Sequence, residues 1–196
     1  MALEHAILGF LEREPMTGYD LKTRCFDAAV GHVWTADQAQ VYRTLDRLAA
    51  RGLVKPKLVP QRGKPDRRVF TITRSGRAAL GDWLRRPEDP GPLRDPLLLQ
   101  LALSAGLPDG EIRVLLTGAR DTYMRRLESL RRESIRETPA CAAPTPRDAA
   151  LHRMTLGAAM AGVRSSIDWI DDCLDDMRGG LPPAAEVAAD DTRGTP

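Results

Sequence analysis

The sequence predicts a mainly α-helical protein, with a winged helix-turn-helix domain followed by an α-helical domain that contains two long antiparallel helices. Three observations predict this fold. A helical pattern from residue 35 runs directly into two β-prone segments rich in basic residues, a proline-rich stretch at 87–92 interrupts the chain, and apolar residues beyond it recur at helical spacing. We therefore expect domains over residues 1–86 and 93–178 and a disordered tail over residues 179–196.

Two helices open the first domain. Residues 2–13 carry apolar side chains at helical spacing, and a proline follows them. Thr17, with Asp20 three residues later, predicts the N-terminal cap of a second helix that ends near Gly31. Trp34, just before the third helix, is interpreted as a core residue.

The third helix is amphipathic in a way that suits DNA recognition. We expect Thr35 to cap it, and Val41, Leu45 and Leu48 form a buried stripe. On a duplex, Gln can bind the adenine edge, Arg the guanine edge, and Ala the thymine methyl group. Taken alone, this face is equally compatible with an ordinary solvated surface. The residues opposite the stripe are Ala36, Ala39, Gln40, Arg43, Arg47 and Ala50, with Tyr42 on the flank.

The segment after this helix is strongly basic. Gly52 ends the helix, and two β-prone runs at 53–59 and 67–73 are joined by a turn-rich segment. Between Arg51 and Arg77 there are nine basic residues and one acidic residue, Asp66. A helix followed by a basic hairpin favours nucleic-acid binding.

A fourth helix closes the first domain. Thr73 is the expected cap, and Leu80, Trp83 and Leu84 form the apolar side of the helix. The helix is expected to end at Pro87, where the linker begins.

The second domain is predicted to be helical throughout. Asp95 and Pro96 begin its first helix, and a long amphipathic helix covers about 109–137. After a proline-containing loop, a helix over about 147–177 carries apolar residues at alternating intervals of four and three. This seam packs either within the chain or in a homodimer, and we favour dimerisation because operator-binding helix-turn-helix proteins usually act as dimers. The seam residues are Leu156, Met160, Val163, Ile167, Ile170 and Leu174, followed by Met177.

The charge is unevenly distributed. Residues 1–86 contain 16 basic and 9 acidic residues, a net charge of +7, whereas residues 87–196 have a net charge of −5. This asymmetry indicates that the first half meets a polyanion. No run of consecutive apolar residues is nearly as long as the about 18 that a membrane-spanning helix needs. The first residues do not show the pattern of a signal peptide. Three separated cysteines fit a reducing compartment, so the expected location is the cytoplasm.

Enzymatic activity is not expected. The sequence has no P-loop, no G-x-G-x-x-G after a strand and no G-x-S-x-G motif. Its three histidines are too scattered for metal-ligand spacing, so neither a catalytic residue, a metal site nor a cofactor is predicted. The acidic run of Asp171, Asp172, Asp175 and Asp176 is interpreted as a solvated helix face. A more serious alternative is a protein-interaction module whose basic hairpin meets an acidic partner.

Several segments together resemble a known family. The stretches ILGFLEREPMTGYDLKTR, VYRTLDRLAARGLV and GKPDRRVFTITRSGRAAL resemble the N-terminal domain of PadR-like transcriptional regulators. The match covers residues 3–84 and includes Gly18-Tyr19, Tyr42, Gly52-Leu53-Val54 and Gly76. The later helices look like the dimerisation domain of the longer PadR subgroup. Arg43 stands where many family members have proline.

The resemblance implies a homodimeric cytoplasmic regulator, commonly a repressor, that binds a palindromic operator on double-stranded DNA. Some relatives release DNA when they bind a small aromatic or drug-like effector, and no residue here singles out such a ligand. The expected DNA-binding residues lie on the third helix and on or beside the wing: Gln40, Tyr42, Arg43, Arg47, Arg62, Lys64, Arg67 and Arg68.

Overall fold

The computed structural model describes residues 2–60, 66–89, 91, 94–135 and 145–182. The predicted mainly α-helical fold is confirmed, with a winged helix-turn-helix followed by helices only. The described elements are α1 (Ala2–Arg13), β1 (Met16–Thr17), α2 (Gly18–Asp20) with a π-helical continuation (Leu21–Ala29), α3 (Gln38–Ala50), β2 (Val54–Val59), β3 (Arg67–Ile72), α4 (Arg74–Leu84), α5 (Pro96–Ala102), α6 (Asp109–Ile135) and α7 (Pro146–Asp176).

Contacts divide the chain into two compact units. Unit 1 contains residues 1–90 together with 130–159, and unit 2 contains residues 91–129 together with 160–196. The end of α6 and the beginning of α7 therefore belong to the same unit as the winged helix. The contact-based division differs in this respect from the expected domain limits, which follow the order of the chain.

The core of unit 1 is built from the helices and the sheet together. Ile7 of α1, Phe26 of the π-helical segment, Leu45 of α3 and Phe70 of β3 are all almost fully buried. The predicted stripe of α3 is confirmed, since each of its three side chains is completely buried. Burial of this stripe fixes the rotation of α3 and turns the opposite face outward.

The sheet contains one strand more than the sequence predicted. Its order is β1-β3-β2, and both pairings are antiparallel. In the unpredicted pairing, Met16 lies opposite Phe70. In the predicted hairpin, Val54 lies opposite Ile72 and Val59 opposite Arg67. The short strand thus attaches the beginning of α2 to the hairpin.

The start of α3 differs from the expectation. Asp37, not Thr35, is the N-cap: its carboxylate accepts from the Gln40 backbone N–H at 2.7 Å, and the Gln40 side chain accepts from the Asp37 N–H at 3.0 Å. This reciprocal pair is a capping box. Ala36 was expected on the exposed face, but it precedes the helix and is buried.

The N-terminal caps of α2 and α5 agree with the prediction from the sequence. Thr17 and Asp20 form the predicted capping box of α2, and Asp95 caps α5 by accepting from the Leu97 N–H at 2.8 Å. Gly52 ends α3 with a φ of 68°, a left-handed conformation that favours glycine.

The N-terminus of α4 is held tightly against the end of α3. The Thr73 side chain accepts from the Gly76 N–H at 3.1 Å and also contacts the Gly52 carbonyl oxygen at 2.8 Å. Leu80 is buried as expected. The assignment of Leu84 to the apolar side of this helix was wrong, because the residue is 67% exposed at the end of α4.

Unit 2 has its own apolar core, formed by Leu97, Ile112, Leu116, Ile170 and Met177. Within unit 2, α6 and α7 run antiparallel. The Arg113 guanidinium donates to the Met177 carbonyl at 2.7 Å, and Arg120, further along α6, pairs with Asp171, further back along the chain, at 2.5 Å.

Four of the six predicted dimerisation residues are buried by their own chain. They are Leu156, Val163, Ile167 and Ile170, whereas Met160 and Leu174 remain partly exposed.

Some expectations fall outside the described residues. They concern Arg62 and Lys64, the proline-containing loop expected between the two long helices, and the tail from residue 183 onward. Among the helices that are described, none is both long and apolar enough to cross a membrane.

Candidate nucleic-acid interface

The outward face of α3 forms one side of a polar groove. Gln40, Arg43 and Arg47 are exposed there, opposite the buried stripe. A cavity of about 670 Å³ lies along this face, and it is also lined by Leu3, Trp34, Thr35, Thr44 and Asp46.

The three predicted recognition residues on this face differ in how firmly they are held. Gln40 uses its amide oxygen in the capping box, so a bidentate contact to adenine would require that bond to be given up. Arg47 lies 3.2 Å from the Thr44 hydroxyl and 3.8 Å from a Glu4 carboxylate oxygen. Arg43 has no side-chain hydrogen bond or ion pair within the described part of the chain, which leaves its guanidinium free to bind a ligand.

Tyr42 lies at the edge of this face and packs against α2. A Cβ atom built on Gly18 would come within 2.6 Å of the Tyr42 ring. The ring therefore rests directly on the glycine backbone, while 37% of the residue stays exposed. This position agrees with the predicted place of Tyr42 on the flank of the helix.

The arginines of β3 are paired with acids on neighbouring helices. Arg68 lies 2.6 Å from Asp46 of α3, and its guanidinium also lies 4.8 Å from the centre of the Phe70 ring. Arg67 lies 3.2 Å from Asp20 of α2. The Arg68 pair therefore joins the hairpin to the helix that carries Arg43, whereas the Arg67 pair joins it to α2.

Asp20 is ionised more easily than an ordinary carboxyl group. Burial opposes its ionisation, but hydrogen bonds from the Thr17 hydroxyl and backbone N–H and the charges of Arg67 and Arg24 outweigh burial and lower its pKa. Because the folded-state pKa is depressed, the stabilisation it provides is lost as the pH falls through that pKa.

Sequence reasoning missed three residues of this surface. Trp34 was expected in the core, but it is 44% exposed and lines the groove. Asp46 lies three positions after Arg43 on α3, so its place beside the groove was visible in the helical spacing. Glu4 comes from α1, and only the tertiary fold brings it to Arg47 and Arg51.

Comparison of the chain with known proteins identifies its family. Residues 7–82 match the family model described as "Transcriptional regulator PadR-like family", and residues 93–178 match "Virulence activator alpha C-term". The chain is 34% identical over 187 residues to "Probable transcriptional regulator Rv1176c" of Mycobacterium tuberculosis, which covers 91% of this chain and 98% of that protein. The chain belongs to the PadR-like family of transcriptional regulators.

Further similarities agree with this assignment. "Negative transcriptional regulator PadR" of Bacillus subtilis is 27% identical over 88% of this PadR-like chain and 95% of its own length. The structure of B. subtilis PadR in complex with operator DNA superposes with a TM-score of 0.76 at 25% identity, over 90% of this chain and 99% of that one. The same protein with p-coumaric acid gives a TM-score of 0.72 at 25% identity over the same shares.

These findings confirm the resemblance noted in the sequence. The chain is a DNA-binding transcriptional regulator, and its family and relatives are regulators rather than enzymes. The part of the chain that the structure describes contains no group of three or more histidine, cysteine or acidic side chains arranged to hold a metal ion.

Proposed function

We propose that the protein is a repressor that binds a palindromic operator as a homodimer and is released by a small aromatic or drug-like effector. One observation supports the proposal most directly. Gln40, Arg43 and Arg47 are exposed on α3, and Asp46, which lines the same groove, pairs with Arg68 of β3. This surface has the charge and shape of an element that enters a major groove.

The proposed contacts divide into two kinds. Gln40, Arg43 and Arg47 reach base edges, whereas Tyr42, Arg67 and Arg68 bind phosphates. Arg62 and Lys64 are assigned to phosphates or an adjacent minor groove on the basis of charge and sequence position. Phosphate contacts supply most of the affinity, and base contacts supply the sequence preference.

Asp46 is expected to restrain phosphate binding because it holds Arg68 at 2.6 Å. Replacing it with asparagine removes this ion pair and one negative charge from the groove. We expect Asp46→Asn to raise affinity for all duplex sequences by a few fold and to steepen the log–log salt slope by about 0.9. Fluorescence anisotropy with operator and scrambled duplexes over a salt series measures both quantities. Asp82→Asn on α4 is the matched control, and equal effects of the two variants would refute a local role for Asp46.

We propose that residues 1–86 form the DNA-binding domain and residues 93–178 the dimerisation domain. Met160 and Leu174 remain partly exposed in the single chain, so they can still contact a partner. Exposed leucine and valine side chains on α5, α6 and the turn between them add apolar surface to unit 2: Leu99, Leu103, Leu107 and Val114. Two recognition helices brought together by such an interface would meet successive major grooves about 34 Å apart.

The effector proposal rests on a relative and on a cavity. B. subtilis PadR has been solved with p-coumaric acid, a small aromatic acid. Unit 2 of this chain contains a cavity of about 350 Å³ with mostly apolar walls, including Leu116 and Met177. Ser104, Cys173 and Asp176 contribute its polar groups. Because the only charged group among these lining residues is acidic, an uncharged or cationic ring suits this cavity better than a carboxylate.

The proposed function is tested by footprinting the full-length protein on the DNA around its own and adjacent promoters. We expect a protected palindrome, a dimer in sedimentation experiments, and reduced transcription from the protected promoter. Binding should weaken steeply as salt increases. A monomer that protects no site at low ionic strength would refute the proposal. If the protein instead activated transcription from the protected promoter, only the repressor role would be refuted, and the proposed DNA binding would stand.

A further inference from the structure

Trp34 places an unused hydrogen-bond donor beside the groove on the outward face of α3. The residue is 44% exposed, which is unusual for so large an aromatic side chain. Its indole N–H donates to no other residue that the structure describes, whereas the indole N–H of Trp83 donates to Glu88 at 2.5 Å. The Trp34 ring and its donor are therefore available to a ligand that enters the groove.

Thr35 adds a second uncharged donor at the same place. The residue is exposed and lines the same groove as Trp34. Its hydroxyl was expected to cap α3, but the Asp37 carboxylate occupies that role. Within the described residues the Thr35 side chain makes no hydrogen bond, so its hydroxyl can also turn toward a ligand.

The turn before α3 holds both residues in place. The N–H groups of Val33 and Trp34 both donate to the Val30 carbonyl oxygen at 2.8 Å. After Thr35, the burial of Ala36 and the capping box that begins at Asp37 fix the path of the chain into α3. A group held in this way loses less conformational entropy on binding than a group on a flexible segment.

The ligand that suits these two side chains is the backbone of duplex DNA. An indole N–H only donates hydrogen bonds, and an ionised phosphate oxygen accepts them. Neutral side chains supply many of the phosphate contacts in protein–DNA complexes. The charged residues that line the groove are two arginines, Arg43 and Arg47, and one acid, Asp46, so the local charge favours an anion.

We propose that Trp34 and Thr35 bind the sugar–phosphate backbone beside the major groove that α3 enters, with the indole N–H and the hydroxyl donating to phosphate oxygens. This inference rests on the proposed entry of α3 into the major groove. Both residues precede the helix, so they lie beside the side chains assigned to bases. They position α3 on the duplex and do not read the sequence.

The variants Trp34→Phe and Thr35→Val remove the two donors and preserve most of the side-chain shape. We expect each to lower affinity for operator and scrambled duplexes alike by about three- to tenfold. The log–log salt slope should stay unchanged, because neither group carries a charge that could release counterions from DNA. Anisotropy titrations of both duplexes over a salt series measure these quantities. Wild-type affinity in both variants, a loss confined to the operator, or a changed slope would each overturn the proposal.

Trp83→Phe is the matched control for Trp34→Phe. Trp83 belongs to the same unit, but its indole N–H is already bound to Glu88 and its ring stacks on His5 with 4.8 Å between centroids. This change should leave affinity for both duplexes unchanged. Urea unfolding should show wild-type stability for Trp34→Phe, since the donor that it removes has no partner among the described residues. Equal losses of affinity in Trp34→Phe and Trp83→Phe would overturn the proposal.

A measurement at Trp34 itself separates this inference from the proposed function. In the full-length protein labelled with 5-fluorotryptophan, each of the three tryptophans gives its own fluorine resonance. The Trp34→Phe and Trp83→Phe variants assign two of them. We expect duplex DNA to shift the Trp34 resonance more than the Trp83 resonance. If the protein bound its operator without moving the Trp34 resonance, this inference would fail and the proposed function would stand. If it bound no duplex at low ionic strength, both would fail.

Discussion

Replacing Gly76 with alanine is expected to lower the free energy of unfolding by about 3 kcal/mol or more, because the new methyl group has no space. A Cβ atom at this position would lie 2.2 Å from the Leu53 carbonyl oxygen and 2.8 Å from Ile72 Cγ1. The carbonyl oxygen cannot withdraw easily, since it accepts from the Thr73 N–H at 3.0 Å. Relief of the clash must therefore separate α4 from the end of α3. Urea unfolding at a fixed protein concentration measures the loss.

Gly9→Ala is the matched control for this prediction. Gly9 lies inside α1, and the nearest atom to a new Cβ would be Leu80 Cδ1 at 3.9 Å, an ordinary contact. Alanine is favoured over glycine in a helix by about 0.5–1 kcal/mol. The control should therefore be neutral or slightly stabilising. If Gly76→Ala unfolded at the same urea concentration as Gly9→Ala, the tight approach of α4 to Leu53 would be incorrect.

Replacing Arg43 with alanine is expected to lower operator affinity by about 10- to 100-fold, since a bidentate arginine–guanine contact contributes about 1–3 kcal/mol of discrimination. Binding to scrambled duplexes should fall much less. The effect is expected to be large because this guanidinium, unlike that of Arg47, is not engaged by an acid among the described residues. Anisotropy titrations with both duplexes at one salt concentration give the specificity ratio.

Two other substitutions define what the Arg43 result means. Arg85→Ala removes the same charge from the exposed end of α4, where Arg85 lies 3.9 Å from Asp82, and it should leave the specificity ratio unchanged. Lys64→Ala should weaken binding to every duplex alike and reduce the salt slope by about 0.9. An unchanged specificity ratio in Arg43→Ala would remove this residue from the base contacts.

Local sequence signals predicted much of the fold. The helix caps at Thr17, Thr73 and Asp95 were recognisable because each depends on residues within one helical turn. The buried stripe of α3 was recognisable because its spacing follows the helical period. The cap of α3 was misplaced at Thr35, although the spacing of Asp37 and Gln40 is itself a capping-box pattern.

Features that depend on distant partners were not predictable in the same way. The strand β1 has only two residues, and its pairing with β3 defines it. The segment Leu21–Ala29 forms a π-helix. Its spacing of apolar residues is close to that of an α-helix, so the sequence pattern could not distinguish the two. On the proposed interface, the pairing of Arg68 with Asp46 and of Arg47 with Glu4 depends on tertiary packing. The sequence could therefore identify which basic residues are exposed but not which of them are already paired.

The capping box at the start of α3 affects how DNA preference can diverge among related regulators. Gln40 closes its own helix by bonding the Asp37 N–H, so replacing it alters thermodynamic stability as well as any base contact. The Arg43 side chain, in contrast, takes part in no helix cap, hydrogen bond or ion pair with the described residues, and it lines the groove. Mutational drift toward new operators should therefore be tolerated more readily at position 43 than at position 40.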